Sequence, residues 1–235
     1  MTDGLTRKGA QIVLSRSLGR LAALSTLRRA YAGAPLSTRL HAYGRFLSCP
    51  FLGVVERLPR GARLLDVGAG HGTLSLLAAE ARDATVVALD PDHRKLLATF
   101  RHARVRFVAG YLDAIDGKFD AAALLDVLYR FPIAEWDGLL AALHTRLRPG
   151  GLLLIKDLDP GHRWKQRWNR TQEVISDRIG LTLGEAFSYE SRSEVLGRIA
   201  RAGFVDGEAI DLGAWYPHAH VLYVARTGGG ETPPA

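Results

Sequence analysis

From about residue 62 onward the chain alternates short apolar runs with stretches of helical periodicity. Ala62–Val67, Ala84–Leu89, Val105–Ala109, Phe119–Leu125 and Leu152–Ile155 read as strands, and Thr73–Arg82, His93–Arg104 and Ile133–Arg146 as helices. Mostly apolar strands separated by helices predict a parallel sheet buried on both faces. Pro149-Gly150-Gly151 supplies a helix stop ahead of the fifth strand. Farther on, Ser191–Ala202 reads as a helix capped by Ser191 or Ser193 and stopped by Gly203. Strands from Phe204 toward Leu212 and over His220–Ala225 predict a hairpin at the sheet edge. The tail Thr227–Ala235, with three glycines and two prolines, predicts disorder.

Ahead of the sheet pattern, Leu14, Leu18, Leu21, Leu24, Leu27 and Tyr31 recur at helical spacing, with Arg16, Arg20 and Arg28 off the stripe. That spacing predicts a helix packed on the domain as a cap; a helix lying on an anionic membrane surface is the alternative. The absence of Trp and Phe from the stripe favours packing.

Composition narrows the class. The 235 residues are 47% hydrophobic and 23% charged, enough for one sizeable core and too mixed for disorder. No run reaches the ~18 apolar residues of a membrane-spanning helix. A single cysteine, Cys49, excludes an internal disulfide framework and an all-cysteine zinc site. The first residues lack a signal-peptide core, so a cytoplasmic chain is expected. The net charge of +7 is concentrated: residues 1–60 carry ten Lys or Arg against Asp3 and Glu56, and the remainder is close to neutral. The expected organisation is a basic N-terminal helical cap over 1–60, a main domain over 61–226 and a tail over 227–235. Such a cap can attract nucleic acid, anionic lipid or an acidic partner.

The candidate chemistry starts at Leu64-Leu65-Asp66-Val67-Gly68-Ala69-Gly70-His71-Gly72, which leaves a buried strand and enters a helix. Glycines there let a ligand approach the backbone closely, and the helix start exposes amide groups. Asp90 ends the second strand, where its carboxylate can accept from both hydroxyls of an unphosphorylated ribose. The spacing G-x-G-x-G lacks the final step of the G-x-G-x-x-G dinucleotide pattern.

Over about residues 60–226 the ordered set LLDVGAGHG, VVALDPD, FDAAALLDVLYRF and LRPGGLLLIKD, followed by a helix and hairpin, resembles the class I S-adenosylmethionine-dependent methyltransferases. The resemblance implies an α/β, Rossmann-like seven-stranded sheet with an antiparallel last strand and helices on both faces, to which the helical stripe adds the N-terminal helical cap. It implies S-adenosylmethionine as cofactor, with Asp66, Gly68, Ala69, Gly70 and Gly72 in the glycine loop, and Asp90, followed by Pro91, on the ribose. Many members carry an acid directly after the glycine that follows the third strand; here Gly110 is followed by Tyr111, and Asp113 is the nearest acid. Adenine recognition is therefore left to Asp113, Tyr111 or backbone groups. Asp126, Tyr129 and Arg130 are expected to border the methionine half of the cofactor or the acceptor.

The acceptor is less legible. The Asp/Asn-Pro-Pro-aromatic run of nucleic-acid N-methyltransferases is replaced by Asp126-Val127-Leu128-Tyr129-Arg130, and Cys49 lies outside the core motifs that base C5-methylation needs, which weighs against nucleic acid. Residues 158–190 read as a substrate lid insertion, whose stretch 161–170 holds four Lys or Arg, Trp164 and Trp168, and no acid. It suits an anionic or lipid-like acceptor, a small molecule or an acid bound to an acidic carrier protein, and peripheral contact with an anionic inner membrane face. Candidate catalytic residues are His162, His218, His220 and Tyr129, since an imidazole can take a proton from a hydroxyl near neutral pH. Asp157 is a secondary candidate, and His71 suits cofactor contact. No carboxylate completes a ligand set around His218 and His220, so no metal is expected. The expected function is S-adenosylmethionine-dependent O-methylation in secondary or lipid metabolism; the rival is a non-catalytic protein of the same fold that docks a partner through its basic cap.

Overall fold

The computed structural model describes residues 19–97, 99–158, 190–212, 216 and 219–229. Three helices, α1 (Arg20–Ala30), α2 (Leu36–Ser48) and α3 (Phe51–Val55), precede the sheet. Alternation then follows: β1 (Arg63–Val67), α4 (Thr73–Arg82), β2 (Thr85–Asp90), α5 (His93–Leu97), β3 (Val105–Ala109), β4 (Phe119–Leu125), α6 (Ile133–Arg146), β5 (Leu147–Leu158), α7 (Arg192–Arg201), β6 (Phe204–Asp211) and β7 (His220–Thr227). Short 3-10 turns lie at Leu112–Ala114 and Leu128–Arg130.

The strands form one seven-stranded sheet in the order β3-β2-β1-β4-β5-β7-β6. β1 to β5 pair in parallel, and β7 runs antiparallel to both β5 and β6. The expected α/β architecture with an antiparallel last strand is thus the one observed. Strand order reverses between β1 and β4, and in such sheets ligands bind beyond the carboxyl ends at that reversal.

Alternate strand residues feed two cores. Leu64, Val86, Ala121, Ala123, Leu152, Leu154 and Leu222 face α1 to α4, while Leu65, Val87, Ala122, Leu124, Leu153, Ile155 and Val221 face α6 and α7. Phe46, Cys49, Phe51, Val54 and Leu58 belong to the first core, so the helices before β1 are built into it.

Several local expectations change. The helix expected over His93–Arg104 ends at Leu97. Thr99 turns its hydroxyl back to the Leu96 carbonyl at 2.8 Å. Phe100 leaves the helical path to enter the core, edge-on to the rings of Tyr31 and Phe107. Of the stripe expected on α1, Leu24, Leu27 and Tyr31 pack on the core, but Leu21 does not. α1 buries Ala23, Thr26, Leu27 and the following Tyr31, while Leu21 is 85% exposed. Pro149-Gly150-Gly151 lies inside β5 as an irregularity, with Leu147–Leu152 standing opposite Phe119–Ala121. Thr227 and Gly228, expected in the tail, secure it: Gly151 N–H donates to Thr227 Oγ1 at 2.8 Å and Gly150 N–H to the Gly228 carbonyl. Ser191 is the cap of α7 and forms a capping box with Glu194. Among the described residues no helix is long and apolar enough to cross a membrane.

Candidate active site

The glycine loop is shaped by its neighbours. Gly68, Gly70 and Gly72 all have positive φ, a region that costs other L-residues roughly 1–2 kcal/mol. Gly68 and Ala69 N–H groups both donate to the Leu89 carbonyl, at 2.8 and 2.9 Å, which ties the loop to the end of β2. Tyr31 at the end of α1 donates its hydroxyl to the His71 carbonyl at 2.6 Å. A Cβ on Gly68 would lie 2.4 Å from Val127 Cγ2, and one on Gly72 2.7 Å from the Phe107 ring; at Gly70 nothing lies within 4 Å. Gly68 and Gly72 are therefore demanded by packing, and Gly70 borders open space. Gly68→Ala is expected to lower both thermal stability and cofactor affinity, whereas Gly70→Ala lowers affinity with a melting-temperature loss of a few degrees at most, from ~1–2 kcal/mol of backbone strain. Parallel thermal melts and titration calorimetry check the contrast.

Four aspartates converge on this edge of the sheet. Asp90 is buried; its Oδ2 accepts from Gly70 N–H at 2.8 Å, its Oδ1 from Asp92 N–H at 2.9 Å, and Lys95 Nζ stands 3.9 Å away. Two of the roughly four lone-pair sites of a carboxylate are so engaged, which leaves one on each oxygen for a diol. Asp66 lies beneath the loop and accepts from Ser75 Oγ at 2.6 Å. Burial pushes its carboxyl up to about 7, against the Ser75 hydrogen bond and with the help of neighbouring Asp90. Because its unfolded value is near 4, the stability it lends is complete below about pH 4 and is lost as pH rises through about 7. Melting temperature is accordingly expected to fall between pH 5 and pH 8, and Asp66→Asn, which keeps a partner for Ser75, should flatten part of that fall.

Asp126 follows β4 with φ +58°, a conformation aspartate tolerates better than most residues. Its Oδ2 accepts from the Arg45 guanidinium of α2 at 2.6 Å and its Oδ1 from Lys156 Nζ of β5 at 2.5 Å. Lys156 is 1% exposed and Asp126 7%. Burial alone would raise the Asp126 carboxyl, but Lys156 and Arg45 outweigh it and hold it below the usual range. The Cys49 Sγ lies 3.8 Å from the same carboxylate, and burial pushes its thiol up to about 11. Next along β5, Asp157 accepts from its neighbour Leu158 N–H at 2.8 Å and from the Tyr129 backbone. Burial pushes Asp157 up to about 7, and the charge on Asp126 adds to the rise.

The remaining candidates divide. Tyr129 lies in the turn after β4, beside the Arg130 guanidinium, and burial raises its phenol. Pro91, Tyr111 and Asp113 are exposed just beyond the ends of β2 and β3, on the same edge as Asp90. His220 opens β7 opposite Leu158, so antiparallel pairing brings it to this edge too. It is 3% exposed, and its Nε2 donates to the Ser48 carbonyl at 2.9 Å, which anchors the end of α2. His162 and His218, and the basic Trp-bearing stretch with them, lie outside the described residues. Among the described residues no group of three His, Cys, Asp or Glu is placed to hold a metal.

Arg45, Lys156 and His41 were not singled out by the sequence. His41 of α2 stacks edge-on to His71 at 5.1 Å between ring centres. Burial, followed by the charges of His71, Arg45, Lys95 and Arg130, holds His41 below its ordinary value. The signal for Lys156 was present: a lysine inside Leu152–Leu158 is a charge in an apolar strand, and such charges are almost always paired. For Arg45 there was none, since its partner is 81 positions away.

S-adenosylmethionine suits this arrangement. Open space at Gly70 admits a ligand against the loop, and Asp90 keeps acceptor capacity for a ribose diol. Residues 40–207 match the family described as "Methyltransferase domain". The chain is 33% identical over 103 residues to the ribosomal protein L11 methyltransferase of Methylococcus capsulatus, covering 42% of this chain and 34% of that protein. It is 30% identical over 133 residues to the tuberculostearic acid methyltransferase of Mycobacterium tuberculosis, covering 53% and 31%. The chain thus spans about a third of the length of these two relatives. Human N-acetylserotonin methyltransferase, solved in complex with S-adenosylmethionine, superposes with a TM-score of 0.64 at 16% identity, over 88% of this chain and 59% of that one. This chain belongs to the methyltransferase-domain family.

Proposed function

We propose that the protein methylates an oxygen of a small-molecule, lipidic or carrier-bound acceptor. The observation that carries this reading is Asp157: a buried carboxyl at the carboxyl end of β5, held by two backbone N–H groups and pushed up to about 7. S-adenosylmethionine supplies an electrophilic methyl on a sulfonium, so the protein's tasks are alignment and removal of the acceptor proton. A hydroxyl acceptor needs a base, and a base near 7 is matched to neutral pH. In this reading Asp90 and the glycine loop hold the cofactor, Asp157 takes the proton, and the Arg45–Asp126–Lys156 set fixes the charge of the floor between them. Tyr129 lies beside Asp157 and is the second candidate for contact with the acceptor. A lipidic acceptor is supported by the relative named for tuberculostearic acid.

The test is a screen of hydroxylated fatty acids, free and as carrier-protein thioesters, read as S-adenosylhomocysteine release. With an accepted substrate, kcat should rise through about pH 7, because the base works deprotonated. Asp157→Asn should cost about 100-fold or more in kcat, remove that limb and leave cofactor affinity within about twofold. An unchanged pH profile in Asp157→Asn would sink the assignment.

A further inference from the structure

The outer face of α2 has a use that the methyl-transfer site does not absorb. Leu36, Leu40 and Leu47 are 65%, 62% and 54% exposed. At about 100° per residue they fall within roughly 40° of one another, a ridge ~16 Å long. Thr38, Ala42 and Phe46 bury the other side of the same helix, so the ridge is unneeded by the core. Arg20 of α1 reaches the Leu47 carbonyl, which places Leu21, 85% exposed, at the same end of the α1–α2 pair.

The charge around this ridge has one sign. Residues 19–55 contain Arg20, Arg28, Arg29, Arg39 and Arg45 and no aspartate or glutamate. Arg45 is committed to Asp126; among the described residues the other four have no carboxylate partner. Arg20 rests over the Tyr216 ring, and among the described residues Arg29 bonds only the hydroxyls of Ser25 and Thr26. Solvent-facing leucines rimmed by arginines are the composition of a helix that lies in a lipid interface, with the leucines in the acyl boundary and the guanidinium groups among headgroups. A second copy of this chain fits poorly, because a two-fold contact through this face sets arginines against arginines.

We propose that the α1–α2 face docks on an anionic phospholipid surface through Leu21, Leu36, Leu40 and Leu47, with the exposed Arg20, Arg28 and Arg29 meeting the headgroups. The opposite flank of α2 bears Arg45 on Asp126 and His41 on His71, so docking holds the site about one helix diameter, ~10 Å, from the bilayer. The benefit to a lipidic acceptor rests on the function proposed above; the docking does not.

Vesicle sedimentation of the full chain, without cofactor or acceptor, keeps the two apart. The probes are phosphatidylcholine vesicles and vesicles with about 30 mol % phosphatidylglycerol, at about 0.1 M and 0.5 M salt. Binding is expected to the phosphatidylglycerol vesicles alone and to weaken at the higher salt. Leu36→Ser/Leu40→Ser/Leu47→Ser should weaken partitioning at least tenfold. Arg28→Gln/Arg29→Gln should weaken it about 25-fold, near fivefold for each arginine. Thermal melts of both variants confirm that these exposed changes leave the fold intact. Absence of wild-type binding at the lower salt, or equal partitioning of the leucine variant, overturns the proposal. A wild-type dimer in light scattering that the leucine variant dissolves also overturns it, in favour of a second copy.

Discussion

Asp90→Ala abolishes measurable S-adenosylmethionine binding in titration calorimetry while the protein stays folded. The carboxylate is buried at the end of β2 and already oriented by Gly70 and Asp92 N–H groups, so a ligand meets a preorganised acceptor. Hydrogen bonds to a charged group are worth about 1.5–3 kcal/mol each, and loss of two amounts to roughly a hundredfold to ten-thousandfold in affinity. The Gly70 N–H loses its partner as well, which loosens the loop. Saturable binding by the wild type, lost in the variant, separates a working cofactor site from a scaffold that keeps only the fold. Wild-type affinity in Asp90→Ala would place the ribose elsewhere.

Lys156→Met has the largest expected effect on stability. It leaves the Asp126 carboxylate buried with Arg45 as its remaining ion-pair partner, and Arg45 is itself part-exposed. Breaking one side of a buried pair costs about 3–5 kcal/mol, which for a chain of this size is a melting-temperature drop of roughly 6–20 °C. Asp126→Asn in the same chain removes the stranded charge and keeps a side chain that accepts positive φ, so the double variant should recover much of the loss. A coupling energy near zero in this cycle would mean the two groups do not depend on each other.

What the sequence made legible follows from range. Each strand and the glycine loop are written in consecutive residues: the apolar runs at Arg63–Val67 and Phe119–Leu125 need no knowledge of their neighbours. The helix misread past Leu97 shows the limit. Phe100 fits a helical pattern, but the ring of Tyr31, far away in sequence, and that of Phe107 on the next strand draw it into the core. The exposure of Leu21 on α1 has the same origin, because Leu21 and Leu27 are equally apolar and only the rest of the fold decides which is covered. In the site, Asp66, Gly68 and Asp90 could be found from local context, whereas the Arg45–Asp126–Lys156 set joins three elements whose proximity exists only after folding.

The bond from Arg45 to Asp126 and the one from His220 to the Ser48 carbonyl fasten α2 to the carboxyl end of β4 and the start of β7. With Phe46 and Cys49 sharing a core with the central strands, α2 is a wall of the main fold rather than a removable cover. A chain trimmed to begin at β1 would lose that wall and leave Asp126 and Lys156 open to water. Amide hydrogens of α2 should therefore exchange in step with those of β4 and β5, as one cooperative unit. Any fragment of this protein that keeps the fold has to start before Leu36.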